Sequence, residues 1–330
     1  MKDNLEMFLL VAEELNFTKA AEKAFVSQQT ASYHIKTLED QYKVKLFNRR
    51  PNLSLTEAGQ FLYQSLKNLK SMEKSIAEGL SDYTGESIGE LKVGINTVRA
   101  RILNPGVLAK YMKIFPKIST NFFIYDTYIL SDMLINQEIN MFMGVNTRAN
   151  PAFKRLKLKD ENIYLLATKK FLKDHKGFTD QEISKLHKEG ININSLDGLP
   201  FIRNLKGCAL TQVLDRTITK YDIAIPENIN TSDYDIQIDL CGSSLASAFC
   251  PSMILYRVIE HNQLNKGSDR EILIFKINDL EESLRIDIVT SALIPAPKYL
   301  SLFIDELTRE AKEKYDYLQA WLEAYFSTDL

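Results

Sequence analysis

The sequence predicts an α/β protein with an N-terminal winged helix-turn-helix, then a long linker helix, then two α/β lobes. Three observations carry that prediction. Residues 1–60 hold three short helical patterns and a hairpin signal. Residues 56–83 hold one unbroken apolar stripe, and beyond a short small-residue segment strand-like and helix-like runs alternate to the end. At 330 residues the chain has room for two or three domains.

Leu5, Phe8, Leu9, Ala12 and Leu15 recur at helical spacing with Glu6, Glu13 and Glu14 between them. Asn16-Phe17 breaks that helix, and Thr18 is the expected cap of a second one over Lys19–Ala24, where Ala20 and Ala21 permit close approach of its neighbours. Val26-Ser27 marks a tight turn, and Ser27 caps a third helix from Gln28 to about Gln41 with Ala31, Ile35 and Leu38 on its apolar side. Val44–Phe47 and Leu53–Leu55 are short β-prone runs around Asn48–Asn52, which reads as a wing.

From a cap at Thr56 the pattern stays helical to about Tyr83. Leu62, Leu66, Leu69, Met72, Ile76 and Leu80 form a narrow stripe with polar residues on the other faces. A lone helix would leave that stripe wet, so it reads as a dimerisation seam, against packing on its own domain. Thr84–Gly89 is the clearest linker. Strand Leu91–Ile95, helix Leu103–Phe115, strand Asn121–Tyr125, helix Leu130–Ile135 and strand Met141–Val145 follow. A second alternating set runs from Ile163–Leu166 to Ile274–Ile277, and strand Leu284–Val289 and helix Tyr299–Lys312 close the pattern. Alternation of this kind predicts parallel sheets covered by helices. The aromatic tail Tyr315–Trp321 exceeds what that pattern requires, and either packing on a lobe or a subunit contact would account for it.

Composition narrows the function classes. Lys and Arg total 41 against 43 Asp and Glu, a formal net charge of −2, so any DNA-binding surface must be a local patch. Residues 1–60 carry eight bases and eight acids, but four of the bases, Lys43, Lys45, Arg49 and Arg50, fall together at the wing. Cys208, Cys241 and Cys250 form no C-x-x-C and read as small buried hydrophobes. His34, His175, His187 and His261 show no metal-ligand spacing, so no metal and no cofactor is expected. No export signal and no membrane-length apolar run is evident, which implies a cytoplasmic protein without a membrane partner. No G-x-S-x-G, acid–base pair or phosphate-binding glycine loop is present, which argues against an enzyme.

Residues 16–59 resemble the DNA-binding domain of the LysR-type transcriptional regulators. The resemblance is carried by Phe17-Thr18-Lys19-Ala20-Ala21, Val26-Ser27-Gln28-Gln29-Thr30-Ala31-Ser32, Ile35, Leu38-Glu39, Leu46-Phe47, Arg49 and Leu55-Thr56-Glu57-Ala58-Gly59. Gln29 stands where the family commonly has Pro or Ser, and the wing is a residue shorter than usual. The resemblance implies a DNA-binding domain at 1–60, a dimerisation helix and hinge at 61–88, and an effector-binding domain at 89–330. The last would be of the periplasmic-binding-protein type, with one lobe at about 89–163 plus 286–330 and the other at about 164–285. It also implies a bacterial homodimer, further paired into a tetramer.

Recognition helices aim polar groups of their first turns at base edges. Gln28, Gln29, Thr30, Ser32 and Tyr33 lie there, His34 and Lys36 suit phosphates, and Arg49 and Arg50 suit backbone or minor groove. Ligands of open α/β sheets bind beyond the carboxyl ends of strands. That rule and the resemblance place Thr97, Val98, Arg99, Thr127, Tyr128, Arg203, Asn204, Thr231, Ser232 and Phe249 around an effector. Arg99 and Arg203 could clamp an anion, while a surface or inter-lobe salt bridge explains them equally well. The expected function is therefore sequence-specific transcriptional regulation on double-stranded DNA under a small-molecule effector. The alternative is a cytosolic solute-binding module whose N-terminal region mediates protein contacts.

Overall fold

The computed structural model describes residues 3–81 and 88–328, with the side chains of 227 and 228 outside that description. The N-terminal region consists of α1 (Asp3–Glu14), α2 (Phe17–Lys23), α3 (Gln28–Tyr42), strands β1 (Phe47–Asn48) and β2 (Ser54–Leu55), and α4 (Glu57–Ser81). α2 begins two residues earlier than expected. Its cap is Asn16, whose side chain accepts from the Thr18 and Lys19 amides, so Thr18 is inside the helix rather than at its edge. Ser27 caps α3 as expected, accepting from the Thr30 amide at 3.1 Å.

Phe8, Val11, Ala20, Ala31 and Ile35 are fully buried and close a small core with Leu46 and Phe47 of the wing. Thr56 ties the wing to α4: its hydroxyl donates to the Lys45 carbonyl and accepts from the Gly59 amide. Gly59 is required there, because a Cβ at that position would lie 2.0 Å from the Leu46 carbonyl oxygen. Leu62 and Leu66 pack into this core, so the first part of the expected seam is covered by its own domain. Residues 82 and 83 of the seam, and 84–87 of the linker, lie outside the described residues, while Gly89 opens a strand.

The remainder is built from β3 (Gly89–Ile95), α5 (Thr97–Ile114), β4 (Ile118–Ile124), α6 (Thr127–Ile135), β5 (Met141–Val145), β6 (Phe153–Glu161), β7 (Ile163–Thr168), α7 (Lys169–Lys176) and α8 (Asp180–Glu189). It continues with β8 (Phe201–Arg203), α9 (Ala209–Tyr221), β9 (Glu227–Asn230), α10 (Tyr234–Gly242), β10 (Ser247–Pro251), α11 (Leu255–Asn265), β11 (Ile272–Lys276), β12 (Leu284–Ser291) and α12 (Lys298–Ser327). The chain forms two compact units, one founded on α1–α4 and one on β3–α12.

Within the second unit the strands make two five-stranded sheets, in the orders β4-β3-β5-β12-β6 and β11-β7-β10-β8-β9. Both are mixed rather than parallel. β3 runs parallel to β4 and β5, whereas β12 is antiparallel to β5 and β6. In the other sheet β8 is parallel to β9 and β10, and β7 is antiparallel to β10 and β11. The antiparallel strands are those flanking the crossings between lobes, β6 to β7 and β11 to β12, and a crossing strand does not need the helical return that enforces parallel order. β6 lies outside the strands expected from sequence: it is lysine-rich and lacks β-branched residues, although Arg155-Leu156-Lys157-Leu158-Lys159 alternates as a strand does. β6 is an edge strand, and lysines on an edge disfavour pairing with further strands.

The last helix extends fifteen residues past Lys312. Its aromatic tail is therefore continuous helix, and Leu318, Leu322 and Phe326 lie in the core of the second lobe, so 286–330 does not belong wholly to the first lobe.

Candidate nucleic-acid interface and ligand cavity

α3 is sharply two-sided. Ala31, Ile35 and Leu38 are buried, while Gln28, Gln29, Tyr33 and Lys36 are exposed and Ser32 is half-buried. Among the described residues the side chains of Gln28, Gln29, Ser32 and Lys36 have no internal partner, so their donors and acceptors are available to a groove. Thr30 differs, since its hydroxyl shares a 2.8 Å hydrogen bond with the Ser27 hydroxyl at the cap. His34 is also occupied: its Nδ1 bonds the Asn4 side chain of α1, which corrects the expectation of a free phosphate contact.

On the wing, Arg50 is exposed and free among the described residues, and Arg49 is exposed with its guanidinium 5.7 Å from the centre of the Phe17 ring. Lys45 is held by the buried Glu39, which also accepts from the Leu46 amide at 2.9 Å. Burial pushes the Glu39 carboxyl up, but Lys45 and the Leu46 and Phe47 amides outweigh it and hold the group below its ordinary value. On α4, Phe61, Leu69, Ile76 and Leu80 remain exposed, and with half-buried Met72 they fall on one side of the helix.

In the α/β unit a cavity of about 930 Å³ opens between the two sheets' carboxyl ends. Its wall includes Thr97, Val98, Arg99, Thr127, Tyr128, Asn204 and Ser232 of the expected set. α5 meets it just past its cap, Asn96, whose side chain accepts from the Arg99 amide at 2.9 Å. Thr127 opens α6 and its hydroxyl accepts from the Val145 amide at 2.9 Å.

Three expected residues lie elsewhere. Arg203 is buried and paired with Asp215. Thr231 accepts from the Asp233 amide in the turn before α10. Phe249 stacks on Phe201 at 4.7 Å inside the second-lobe core, because both faces of β10 are covered and only Pro251 at the strand's end reaches the cavity. These three are corrections to the sequence-based set.

Arg99 is at the wall but committed. It is 3% exposed, its Nη2 donates to Glu161 at 2.6 Å, and Glu161 also accepts from the Tyr315 hydroxyl at 2.6 Å. Burial disfavours the Arg99 charge, yet the Glu161 carboxylate beside it holds the group above its ordinary value. The Tyr315 hydroxyl is pushed upward, first by burial and then by Glu161. Glu161 and Tyr315 had no signal in the sequence, because their meeting joins residues 154 positions apart. Arg148 and Lys206, exposed on loops after β5 and β8, also line the cavity, and the strand-end rule that found Thr97 reaches them too.

Cys208 caps α9, its sulfur accepting from the Thr211 amide, and it lines the cavity half-exposed rather than lying in the core. Cys241 and Cys250 are buried, and burial pushes the Cys241 thiol up to about 12. Among the described residues no group of three His, Cys, Asp or Glu side chains is placed to hold a metal ion. No helix among them is long and apolar enough to cross a membrane.

A helix-turn-helix with a wing, ahead of a two-lobed α/β unit with a cavity between its sheets, defines a ligand-responsive DNA-binding protein. Residues 3–60 match the bacterial regulatory helix-turn-helix proteins of the lysR family, and residues 84–310 match the LysR substrate binding domain. The chain belongs to the LysR family of DNA-binding transcriptional regulators with an effector-binding domain. It is similar to the HTH-type transcriptional regulator CysL of Bacillus subtilis, with 24% identity over 92% of this chain and 96% of that one. Its fold is similar to that of ArgP from Mycobacterium tuberculosis, with a TM-score of 0.65 and 16% identity over 93% of this chain and 96% of that one. A full-length OxyR from Pseudomonas aeruginosa gives a TM-score of 0.62 and 18% identity over 92% and 93%.

Proposed function

We propose that Gln28, Gln29, Ser32 and Tyr33 read base edges in a major groove while Lys36, Arg49 and Arg50 hold phosphates. The protein acts as a cytoplasmic bacterial homodimer joined along α4, and pairs further into a tetramer. The observation that carries this reading is the row of exposed, internally unpartnered polar side chains on the first turns of α3. The exposed α4 stripe supports the dimer, since a run of large apolar side chains on one helix side is stabilised when a second copy covers it. The segments divide the work: 1–60 for DNA, 61–88 for pairing and 89–330 for the effector. No catalytic role is assigned.

The effector occupies the cavity between the lobes. Its wall carries Arg99, Arg148 and Lys206 against Asp126, Asp132 and Asp233, and Glu161 already neutralises Arg99. That balance favours a polar effector of low net charge over a simple anion.

Footprinting on DNA upstream of the protein's own gene and its divergent neighbour, at low and moderate salt, tests the reading. Protection of an interrupted palindrome that survives moderate salt is the expected result. Protection that fades uniformly with salt would reduce the interaction to its phosphate part. Absence of binding from folded protein would favour the solute-binding alternative.

A further inference from the structure

The lobes of the α/β unit are joined by extended crossings and by one helix. Asn162 alone separates β6 of one sheet from β7 of the other, and Ile277–Ser283 leads from β11 back to β12. Joints of that kind bend through a few backbone dihedrals. α12 is a different connection. Its 30 residues contain neither Gly nor Pro, the residues at which helices usually kink, and it spans about 45 Å.

Along its first half Tyr299, Leu300, Phe303, Leu307 and Ala311 pack with the first-lobe core of Leu91, Val93 and Val107. Along its second half Leu318, Leu322 and Phe326 pack with Leu166, Ile272 and Ile274 of the second lobe. The Ile274 amide donates to the Tyr325 hydroxyl at 3.2 Å, and Nε2 of His187 bonds the Tyr325 carbonyl at 2.9 Å. Between the halves the Tyr256 hydroxyl donates to the Lys314 carbonyl, and Tyr315 donates to Glu161, the last residue of β6 before the crossing. Glu161 is fully buried and also holds Arg99. One carboxylate therefore pins the helix and the crossing together.

The geometry points to a strap: residues 313–327 hold the two lobes at a fixed angle, so the cavity between them has a set mouth instead of a closing one. Rotation of one lobe about the crossings would bend α12 where no kink residue stands, or draw Leu318, Leu322 and Phe326 out of a packed core. Close-packed interiors resist both. A ligand entering the cavity thus meets two walls whose separation is set beforehand.

Hydrogen exchange of the full-length, ligand-free protein, followed by mass spectrometry across residues 158–166, tests the strap. In the parent protein the amides at the crossing should exchange about as slowly as those inside β7. Three glycines inserted between Asp316 and Tyr317 keep both packed halves but uncouple them. Exchange at the crossing should then rise at least ~10-fold while β3 and the interior of β7 stay protected. Tyr315→Phe keeps the packing and removes only the bond to Glu161, so it should raise exchange at the crossing by a smaller factor. Fast exchange at the crossing in the parent protein overturns the strap, and so does unchanged exchange in both variants. If the insertion unfolds the second lobe, seen as lost protection in β7, the parent protein and Tyr315→Phe still decide the matter.

Discussion

The recognition face of α3 and the wall of the ligand cavity spend their polar groups in opposite ways. On α3 the side chains that face outward, Gln28, Gln29 and Lys36, are left without internal partners, and the helix beneath them is fixed by Ser27 and by buried Ala31 and Ile35. At the cavity Arg99, for which anion binding and a salt bridge are equally good sequence readings, is held by Glu161, and Arg203 pairs with Asp215. The difference teaches that a side chain of the right type in the right place serves a partner only if the fold leaves it free. Substitutions in the buried Arg99–Glu161 pair should therefore register as stability, and substitutions on the outward row of α3 as DNA affinity.

The largest expected effect tests the cavity half of that contrast. Glu161→Ala removes the partner of a buried Arg99 and leaves an uncompensated charge, so urea unfolding should show a loss of about 3–5 kcal/mol. Replacing both partners together, Arg99→Met with Glu161→Leu, should cost clearly less than Glu161→Ala alone, because no lone charge remains. If the double replacement cost as much as the single one, the pair would not be acting as a buried ion pair.

Gln28→Ala tests the other half. It should leave unfolding unchanged and cost about 1–3 kcal/mol on the cognate site, with little change on random DNA. Equal losses on both DNAs, measured by fluorescence anisotropy at one salt concentration, would remove base reading from Gln28.

The same contrast explains what was legible beforehand. The helices, the Ser27 cap and the outward row of α3 follow from local spacing and capping chemistry, which a linear sequence displays. Gly59 belongs to the Leu-Thr-Glu-Ala-Gly run, and the structure supplies its reason in the close approach of the Leu46 carbonyl. His34 and Lys45 were legible as basic residues near DNA but not as spent ones, because Asn4 and Glu39 are brought to them only by tertiary packing. Seven of the ten expected cavity residues follow from the rule that strand ends and helix starts converge. Phe249 fails because it lies two residues before the end of β10, where both faces of the strand are covered by core, and only the terminal Pro251 lines the cavity. α12 runs past its expected end at Lys312, because exposed Lys312 and Glu313 interrupt the local apolar run while Ala311, Tyr315, Leu318 and Leu322 carry the buried side onward into a second core.

A smaller effect separates the wing from the DNA-facing row. Glu39 is buried and its folded-state pKa is lowered, so its contribution to stability is present above its ordinary value of 4.5 and is lost as pH falls through the lower folded-state value. Glu39→Gln keeps an acceptor for the Leu46 amide but loses the charge. It should cost at most about 1 kcal/mol at neutral pH, because Lys45 is largely exposed. Thermal melts should show the difference between parent and variant shrinking as the solution is acidified below pH 4.5. A difference that grew on acidification would mean that the group is not held ionised by Lys45 and the backbone.

The smallest effect distinguishes two basic residues on the same domain. Arg50 is exposed on the wing without an internal partner, whereas the ring of His34 is bonded to Asn4. Arg50→Ala should weaken binding to all sequences alike and reduce the slope of log affinity against log salt by about 1. His34→Ala should leave that slope unchanged and register as a modest loss of stability where α3 meets α1. The pair of salt titrations bears directly on the contrast between free and spent side chains. A reduced slope for His34→Ala would show that the ring leaves Asn4 to reach a phosphate, and an unchanged slope for Arg50→Ala would take the wing tip out of the interface.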